Sequence, residues 1–422
     1  TTIVAGEQDN GTNLKTGSTW SNIYGGDGGE CFIDYNNNNT IYIQYVNGDY
    51  SRSDDGGLTA IGITTGLPSG IDFYSPFKMD PIDHNKIYSG GTTTLYMSNN
   101  KGNSWSALGA SAGVETIKNF AIAPSNNAII YTVQDDAISK SINSGLTFSD
   151  ITGTLPVLSA AISSVAVSNT DPNKIWVTFS GYSASNKVFK STNGGITWTN
   201  ISSGLPNLPI NTVVYTNNSL NDAVYIGADI GVYYFDNSSV SWAPYMTSLP
   251  NVAVRDLEIY YGTGKLRAAT YGRGVWESDL NSSTNFALNI ACTGTNNICN
   301  GGVIGTASVN ILTGNSPYTY NWSNGNTSSS ATSLAAGTYT VIVTDNNSAT
   351  SSCVYTVTQP SVIIANCTGT NVTTNGGNDG SVSIAPATGG TNSFSTSSSI
   401  SITLALKILS EEGFSSEAKQ KK

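Results

Sequence analysis

Short apolar segments recur along the first 280 residues and predict β-strands rather than helices. Each has about five residues, is rich in Ile, Val and Tyr, and is bounded by turn-forming residues, a pattern typical of strands. The segments expected to form the second strand of each repeat unit are Thr2–Ala5, Ile41–Tyr45, Ile87–Tyr88, Ile129–Val133, Ile175–Phe179, Val224–Gly227 and Leu266–Thr270. The sequence therefore predicts seven units of up to four strands. The first unit lacks an obvious first strand, and the last lacks an obvious fourth strand.

A polar turn follows the third strand in most units. In the stretch KSTNGGITWTNIS, the turn frame consists of Ser191, Asn193, Gly195, Thr197 and Trp198. Asn can close an Asx-turn, Gly supplies a positive φ, and Trp provides a large ring that can pack beneath a neighbouring sheet. The other clear copies contain Ser53, Asp55 and Gly57; Ser98, Asn100, Gly102 and Trp105; and Ser141, Asn143, Gly145 and Phe148, while degenerate copies end at Trp20 and Trp242.

This turn frame recurs with a period typical of propeller blades. Its last position falls at residues 20, 60, 105, 148, 198 and 242, and a period in the forties with strand-like content predicts an all-β propeller. The four clear copies resemble the Asp-box (BNR) β-propellers, a family of sialidases, xyloglucanase-like glycoside hydrolases, sortilin-type receptors and secreted proteins of unknown role. The resemblance implies that these turns are structural and lie away from the binding face. We expect a ring of about seven blades over residues 1–280, which either closes by pairing its two ends or lacks upstream sequence.

The residues after 281 have a different pattern. The stretch ACTGTN at 291–296 recurs as NCTGTN at 366–371, an offset of 75 residues. Together with the intervening SPYTYNWSNG and LAAGTYTV, this pattern resembles the SprB-type repeat of Bacteroidetes surface adhesins, a small immunoglobulin-like β-sandwich. The resemblance implies one repeat at 288–361 and a partial second repeat at 362–396. The tail at 397–422 loses the pattern, and we expect it to be disordered or an artefact of the sequence.

The cysteines indicate disulfides rather than a metal or catalytic site. Four of the five lie in the last third of the chain, there is no CxxC pair, and there is one His. Zinc binding and Cys-His or Ser-His-Asp catalysis are therefore not expected. Clustered cysteines in an all-β segment favour an exported, extracellular protein. The adhesin resemblance implies a disulfide between Cys299 and Cys353, with Cys292 as a competing partner.

Composition narrows the set of partners. Charged residues make up 11% of the chain, and the net charge is −10. Because no basic stripe exists, nucleic acid is not an expected partner. No apolar run approaches the roughly 20 residues of a membrane span. Calcium is a weak alternative at the adjacent carboxylates Asp54, Asp55, Asp135 and Asp136, and no other cofactor or metal is expected.

Two carboxylates are candidates for catalysis. Asp9 and Asp27 flank the same unit in loops on one predicted face, and glycoside hydrolysis uses two carboxyl groups roughly 5 to 10 Å apart. The pattern QDNG followed by GGDGG also resembles secreted xyloglucanase-like propellers. The alternative is that both residues make turn hydrogen bonds to backbone N–H groups.

Other residues on the same predicted face are candidates for ligand binding: Asp229, Arg255, Tyr271 and Arg273. Tyr24 and Tyr74 could stack on sugar rings in addition. Sialidase activity is not expected, because that family needs three Arg and an Arg-Ile-Pro motif, and this chain has no Arg before Arg52. We expect an extracellular or surface-attached protein whose propeller binds polysaccharide. An endo-acting glycoside hydrolase and a structural surface or filament subunit are the alternatives.

Overall fold

The computed structural model describes residues 2–69, 71–261, 263–281, 288–314, 317–346, 348–365, 367–384 and 388–390. The chain divides into two compact units, Thr1–Ala287 and Leu288–Lys422. All of the regular elements in the described residues are β-strands. The predicted tail at 397–422 lies outside the described residues.

The first unit contains seven antiparallel sheets that follow one another along the chain. The first and last sheets have three strands: β1 (Thr2–Glu7), β2 (Gly11–Thr16) and β3 (Thr19–Tyr24), and then, at the end of the unit, β24 (Val254–Tyr260), β25 (Lys265–Thr270) and β26 (Gly274–Asp279). The five sheets between them have four strands each. Their strands are β4 (Cys31–Asp34), β5 (Asn37–Gln44), β6 (Tyr50–Ser53) and β7 (Ile61–Gly62); β8 (Phe77–Met79), β9 (Ile87–Gly90), β10 (Thr94–Ser98) and β11 (Ser106–Ala110); β12 (Asn119–Ile122), β13 (Ile130–Gln134), β14 (Ala137–Ser141) and β15 (Ser149–Asp150); β16 (Ile162–Val167), β17 (Ile175–Phe179), β18 (Val188–Ser191) and β19 (Thr199–Asn200); and β20 (Ile210–Tyr215), β21 (Val224–Ala228), β22 (Val232–Phe235) and β23 (Ala243–Pro244).

These sheets are the blades of a β-propeller, as the sequence predicts. In the part of the chain that the structure describes, blades 1 and 7 contain three strands each, which are the strands that the sequence assigns to them. Apolar side chains on both faces of each central strand join consecutive blades, since neighbouring residues of a strand point in opposite directions. In β17, for example, Ile175 and Val177 pack with blade 4, whereas Trp176 packs with blade 6. Among the described residues, an apolar cluster joins every consecutive pair of blades.

The repeated turns have one hydrogen-bonding scheme. In blade 5, Ser191 Oγ accepts the Gly195 N–H at 2.9 Å, and Asn193 Oδ1 accepts the Thr197 N–H at 2.9 Å. Gly195 has a φ of 92°, which is the left-handed region that favours glycine. The same contact from Gly to Ser recurs at 2.8 Å between Gly57 and Ser53, Gly102 and Ser98, and Gly145 and Ser141. Each turn therefore satisfies its own backbone groups with side chains.

The aromatic residue after each turn fixes one blade to the blade before it. The indole N–H groups of Trp105, Trp198 and Trp242 donate to the carbonyl oxygens of Ile63, Ile151 and Ile201 at 2.6, 3.0 and 2.6 Å. Phe148 has no N–H to donate and packs in the apolar cluster between blades 3 and 4. A degenerate turn frame, the one that ends at Trp242, therefore makes the same interblade contact as the clear copies.

The second unit contains two three-stranded sheets around one core. The first sheet consists of β27 (Asn289–Thr295), β28 (Gly305–Thr313) and β30 (Ser330–Leu334); the second consists of β29 (Thr319–Trp322), β31 (Gly337–Thr344) and β32 (Thr350–Val357). Trp322 is the largest fully buried side chain of this core.

The expected disulfide between Cys299 and Cys353 is wrong. Cys353 pairs with Cys292, with their Cα atoms 5.7 Å apart, and Cys299 is free and exposed. Cys292 lies in β27 and Cys353 in β32, which pack against each other, whereas Cys299 lies in the loop after β27. The competing partner named from the sequence is therefore the one that the fold brings into reach.

The internal repeat is visible in a short hairpin of β33 (Cys367–Thr370) and β34 (Ser381–Ile384). Its register, Cys367 opposite Ile384, matches that of Cys292 opposite Val309 at an offset of 75 residues. The side-chain contact between Thr370 and Ser381 at 2.8 Å likewise matches the one between Thr295 and Thr306 at 2.9 Å. The partial second copy therefore pairs its first two strands as the first copy does.

Candidate functional site

One face of the propeller carries the candidate site residues. We call it the upper face. It bears the loops between the second and third strands of each blade and the loops from one blade to the next. The repeated turns connect the third and fourth strands and lie on the opposite, lower face, because consecutive antiparallel strands reverse direction. Asp9, Asp27, Asp229, Tyr271 and Arg273 all lie in upper-face loops, and Arg255 lies at the upper end of β24.

Asp9 and Asp27 meet at the upper end of blade 1. Asp9, in the turn between β1 and β2, has a φ of 62°, and its N–H donates to Asp27 Oδ1 at 2.8 Å. The loop that carries Asp27 is held against this turn, because the Gly28 N–H donates to the Glu7 carbonyl oxygen at 3.0 Å. A Cβ on Gly28 would lie 2.2 Å from the carbonyl oxygen of Gly11, so glycine is needed here. One Asp27 oxygen therefore has the turn role that the sequence offers as the alternative to catalysis.

An open groove of about 640 Å³ lies beside these two residues. It is lined only by polar residues and glycines, namely Glu7, Asp9, Asn10, Asn13, Asn22, Gly25 and Gly26. Asn22 Nδ2 donates to the Asn10 carbonyl oxygen at 2.8 Å and to Asn13 Oδ1 at 3.3 Å, which holds the amides in place. The Tyr45 ring lies against Gly26, where a Cβ would be 2.5 Å from it. The groove thus presents fixed hydrogen-bonding groups to solvent.

Two exposed aromatic rings lie near the carboxylates. Phe73 and Tyr74 contact each other edge to face, with ring centroids 4.7 Å apart, and are 42% and 39% exposed. Burial, followed by the negative charges of Asp27 and Asp9, raises the pKa of the Tyr74 hydroxyl. Tyr74 is therefore within electrostatic reach of both carboxylates.

The inner strands of blades 5, 6 and 7 share a β-bulge near their upper ends. The register shifts between Ile162 and Ser164, between Ile210 and Thr212, and between Val254 and Asp256. The additional residues are Ser163, Asn211 and Arg255. A bulge changes the direction of the side chain that it inserts. In all three blades the first residue after the second strand donates its N–H to the carbonyl oxygen of the residue just before the inner strand. These hydrogen bonds join Ser180 to Ala161, Asp229 to Pro209 and Tyr271 to Ala253.

These bulges bring three predicted ligand-binding residues together. Asn211 Nδ2 donates to Asp229 Oδ1 and to the Val254 carbonyl oxygen, both at 3.1 Å. The Arg255 guanidinium lies 5.4 Å from the centroid of the Tyr271 ring, which is 68% exposed. Asn211, the connecting residue, was not predicted from the sequence. The sequence feature that could have identified Asn211 is its position in the inner strand, which is equivalent to the position of Arg255.

A belt of polar side chains lines the propeller axis, and sequence reasoning missed it. Asn119, Ser164, Thr212 and Asp256 occupy equivalent register positions on the inner strands of blades 4 to 7. Lys78 Nζ donates to Asn119 Oδ1 at 2.6 Å, and Asn119 Nδ2 donates to Ser164 Oγ at 3.1 Å. The available signal was a polar residue at the same position of several otherwise apolar inner strands.

Glu30 completes this belt from blade 2. Its Oε2 accepts the Phe77 N–H at 2.5 Å. Burial raises the pKa of Glu30 to about 7, the charge of Asp256 adds to the rise, and Lys78 opposes it. Burial also raises the pKa of Asp256. Both carboxylates remain exposed to solvent although protein atoms surround them.

The carboxylates proposed for calcium have other partners. Asp55 accepts hydrogen bonds from Ser53 Oγ, the Leu58 N–H and the Thr59 N–H and Oγ1 at 2.6 to 3.0 Å. Asp54 pairs with Arg52, with Oδ2 and Nη2 2.8 Å apart. On the upper face, Asp135 lies 4.0 Å from Lys118, and Asp136 Oδ2 accepts the Val114 N–H at 3.2 Å. Across the part of the chain that the structure describes, no three His, Cys, Asp or Glu side chains are grouped to hold a metal ion.

The fold is similar to several solved β-propellers. An ancestral GH74 enzyme aligns over 84% of this chain and 60% of its own length, with a TM-score of 0.51 and 13% identity. The extracellular domain of a protein assigned to the hybrid two-component systems of B. thetaiotaomicron aligns over 73% of this chain and 44% of its own length, with a TM-score of 0.50 and 13% identity. A chain of the mitotic checkpoint complex aligns over 66% of this chain and 83% of its own length, with a TM-score of 0.51 and 9% identity.

These similarities establish the propeller fold and nothing finer, since proteins of unrelated function share it. No protein-family model matches the sequence, and no curated protein matches it. This chain spans less than two thirds of the GH74 enzyme that it matches. Within the described residues, no helix is long and apolar enough to cross a bilayer.

Proposed function

We propose that this chain is an exported, surface-associated recognition protein whose upper propeller face binds polysaccharide. Its propeller is of the Asp-box type, and the repeats after it are of the SprB adhesin type. The observation that carries the proposal is the groove of carboxamides and carboxylates, together with the exposed ring pair Phe73 and Tyr74, whose Tyr74 is within electrostatic reach of the groove residue Asp9. Fixed amide groups suit sugar hydroxyls, and an exposed ring edge-packed on a second ring offers an apolar surface to a pyranose.

Affinity gel electrophoresis tests this proposal with a panel of neutral and acidic plant and bacterial polysaccharides. We expect at least one polymer to retard the wild-type protein. Tyr74→Ala should weaken that binding about tenfold, equivalent to about 1.4 kcal/mol. Tyr35→Ala is the matched control, because Tyr35 is 70% exposed and lies in a lower-face loop.

Two results would contradict the proposal. Wild-type protein that no polymer retards is not a polysaccharide-binding module, and the structural surface or filament subunit then becomes the better interpretation. An equal loss in Tyr74→Ala and Tyr35→Ala would show that the upper face is not the binding face.

An endo-acting glycoside hydrolase is the second candidate, favoured by the adjacency of Asp9, which lines the groove, and Asp27. The geometry weakens it, because an Asp27 oxygen bound to a backbone N–H is not free for proton transfer or attack. The assay is the release of reducing ends from xyloglucan and other β-glucans by wild type and Asp27→Asn. Release that disappears in the variant would establish hydrolysis, whereas binding without release would establish the recognition module.

A further inference from the structure

The four arginines of the chain fall into two pairs. Arg52 and Arg267 are nearly buried and ion-paired: Arg52 Nη2 lies 2.8 Å from Asp54 Oδ2, and Arg267 Nε lies 3.1 Å from Glu277 Oε2. Arg255 and Arg273 are exposed and lie at the upper end of blade 7. Neither makes an ion pair within 4.0 Å among the residues that the structure describes.

Unpaired arginines stand out in this composition. The chain has 28 acidic and 18 basic residues, so carboxylates outnumber cations. The absence of an ion-pair partner for Arg255 and Arg273 among the described residues therefore does not come from a lack of carboxylates. An exposed guanidinium with no carboxylate partner is available to an external anion.

The local structure holds these two residues in place. The bulge in β24 turns Arg255 towards the Tyr271 ring, 5.4 Å away. Arg273 follows two residues later in the same loop. Trp276 Nε1 donates to the Arg273 carbonyl oxygen at 3.0 Å, which anchors the loop backbone at this residue. Arg255, the Tyr271 ring that its guanidinium contacts, and Arg273 in the same loop as Tyr271 thus lie together at the upper end of blade 7, and we call these three residues the blade 7 patch.

We propose that the blade 7 patch is a subsite for an anionic sugar residue, carrying either a uronate carboxylate or a sulfate ester. The inference rests on the proposed polysaccharide binding and specifies its substrate class. A guanidinium binds a planar carboxylate or a sulfate through two parallel hydrogen bonds. The Tyr271 ring offers its face to the pyranose. The neighbouring Asp229, held by Asn211, has a second oxygen that can accept a sugar hydroxyl.

The overall charge of −10 does not prevent this binding at physiological salt. Charges farther than about 8 Å apart are largely screened at 0.15 M ionic strength. The anion on the sugar therefore responds mainly to the two guanidinium groups and much less to distant carboxylates. It also follows that the preference for an anionic polymer should weaken when salt is raised.

The test compares polymers that differ only in charge. The probes are polygalacturonate and the same polymer with its carboxylates reduced to alcohols, and dextran sulfate and dextran, all at 0.15 M NaCl. Retardation in affinity gels and titration calorimetry report the affinity. We expect wild type to prefer at least one anionic polymer over its neutral partner by at least tenfold. A preference within the polygalacturonate pair would identify a uronate subsite, and a preference within the dextran pair would identify a sulfate subsite.

Variants assign the preference to the blade 7 patch. Arg255→Gln and Arg273→Gln should each reduce affinity for the anionic polymer about tenfold, as expected for a charge-assisted contact. Lys118→Gln is the matched control, since it removes one exposed positive charge from another upper-face loop. It should change the affinity less than twofold. Unchanged binding of neutral polymers by the variants would show that their propeller is intact.

The outcomes separate this inference from the function on which it rests. Equal binding of each anionic polymer and its neutral partner would overturn the anionic subsite and leave polysaccharide binding standing. A loss in Lys118→Gln as large as in Arg255→Gln would also overturn it, because binding would then follow net charge rather than the blade 7 patch. No binding of any polymer by wild type would overturn both proposals.

Discussion

Replacing Glu30 by Gln should make the protein more stable at pH 8 and leave its stability unchanged at pH 4. Burial raises the pKa of Glu30 from 4.5 to about 7 in the folded protein. The folded state therefore holds a proton on Glu30 that the unfolded state has lost in this pH range. The stability that this proton provides is fully present below pH 4.5 and is lost as the pH rises through about 7. Gln resembles the protonated acid and keeps an oxygen to accept the Phe77 N–H.

The magnitude follows from the pKa shift. The difference between a pKa of 4.5 in the unfolded chain and about 7 in the folded protein would correspond to about 3 kcal/mol if no water reached the carboxylate. The Glu30 side chain is exposed to solvent, which screens its charge, so we expect a gain of about 1 to 2 kcal/mol. The positive charge of Lys78 lowers the pKa of Glu30 and so already offsets part of the cost of burying the carboxylate.

Urea denaturation of wild type and variant at pH 4, 5, 6, 7 and 8 measures this gain. Glu115→Gln is the matched control, because its exposed carboxylate makes no hydrogen bond or ion pair among the described residues. The difference in unfolding free energy should grow from zero at pH 4 to its full value at pH 8. A difference that does not depend on pH, or a Glu30→Gln variant less stable than wild type at pH 8, would refute the reasoning.

Three further predictions concern the scaffold. Trp198→Phe removes the indole N–H bound to the Ile151 carbonyl oxygen and should lower the unfolding free energy by about 1 to 2 kcal/mol; urea denaturation showing no loss would contradict the interblade hydrogen bond. Cys292→Ser should cost about 2 to 4 kcal/mol without reductant, whereas Cys299→Ser should cost nothing, and equal losses would contradict the pairing. The Thr59 contacts lower the pKa of Asp55 to about 2 from 3.8, so wild-type stability should fall as acid protonates it across that range. Asp55→Asn should fold normally, since Asn occupies this position in three other blades. The unfolding free energy of this variant should depend less on pH than that of wild type, and an unchanged pH dependence would contradict the prediction.

The propeller could be predicted because its signals are local and repeated. Ser191, Asn193 and Gly195 form a turn that closes within five residues, so its sequence frame survives in each copy. The partner of Trp198 is one period earlier in the chain, which a regular period also fixes. Consecutive strands of a blade form hairpins, in which the turn type and the loop length set the register.

The polar belt and the disulfide could not be predicted in the same way. Lys78 on blade 3 reaches Asn119 on blade 4, and the pKa of Glu30 on blade 2 responds, beyond the effect of burial, to the charge of Asp256 on blade 7. Such contacts depend on how the ring brings distant inner strands together, which no local pattern encodes. The expected pairing of Cys299 came from a family resemblance, and spacing alone did not tell which cysteine lies in a strand that packs on β32.

The β-bulges show how one backbone frame can support different chemistry on the upper face. Blades 5, 6 and 7 use the same backbone hydrogen bond to position the bulged residue and the loop residue opposite it. In blade 6 these residues are Asn211 and Asp229, and in blade 7 they are Arg255 and Tyr271. Because backbone groups form the hydrogen bond that closes this frame, the frame itself accommodates different side chains at these positions. The residue types at these positions can therefore follow the needs of a ligand. Blade 6 presents an amide and a carboxylate, whereas blade 7 presents a guanidinium and an aromatic ring, and a ligand with one anionic end would require such a difference.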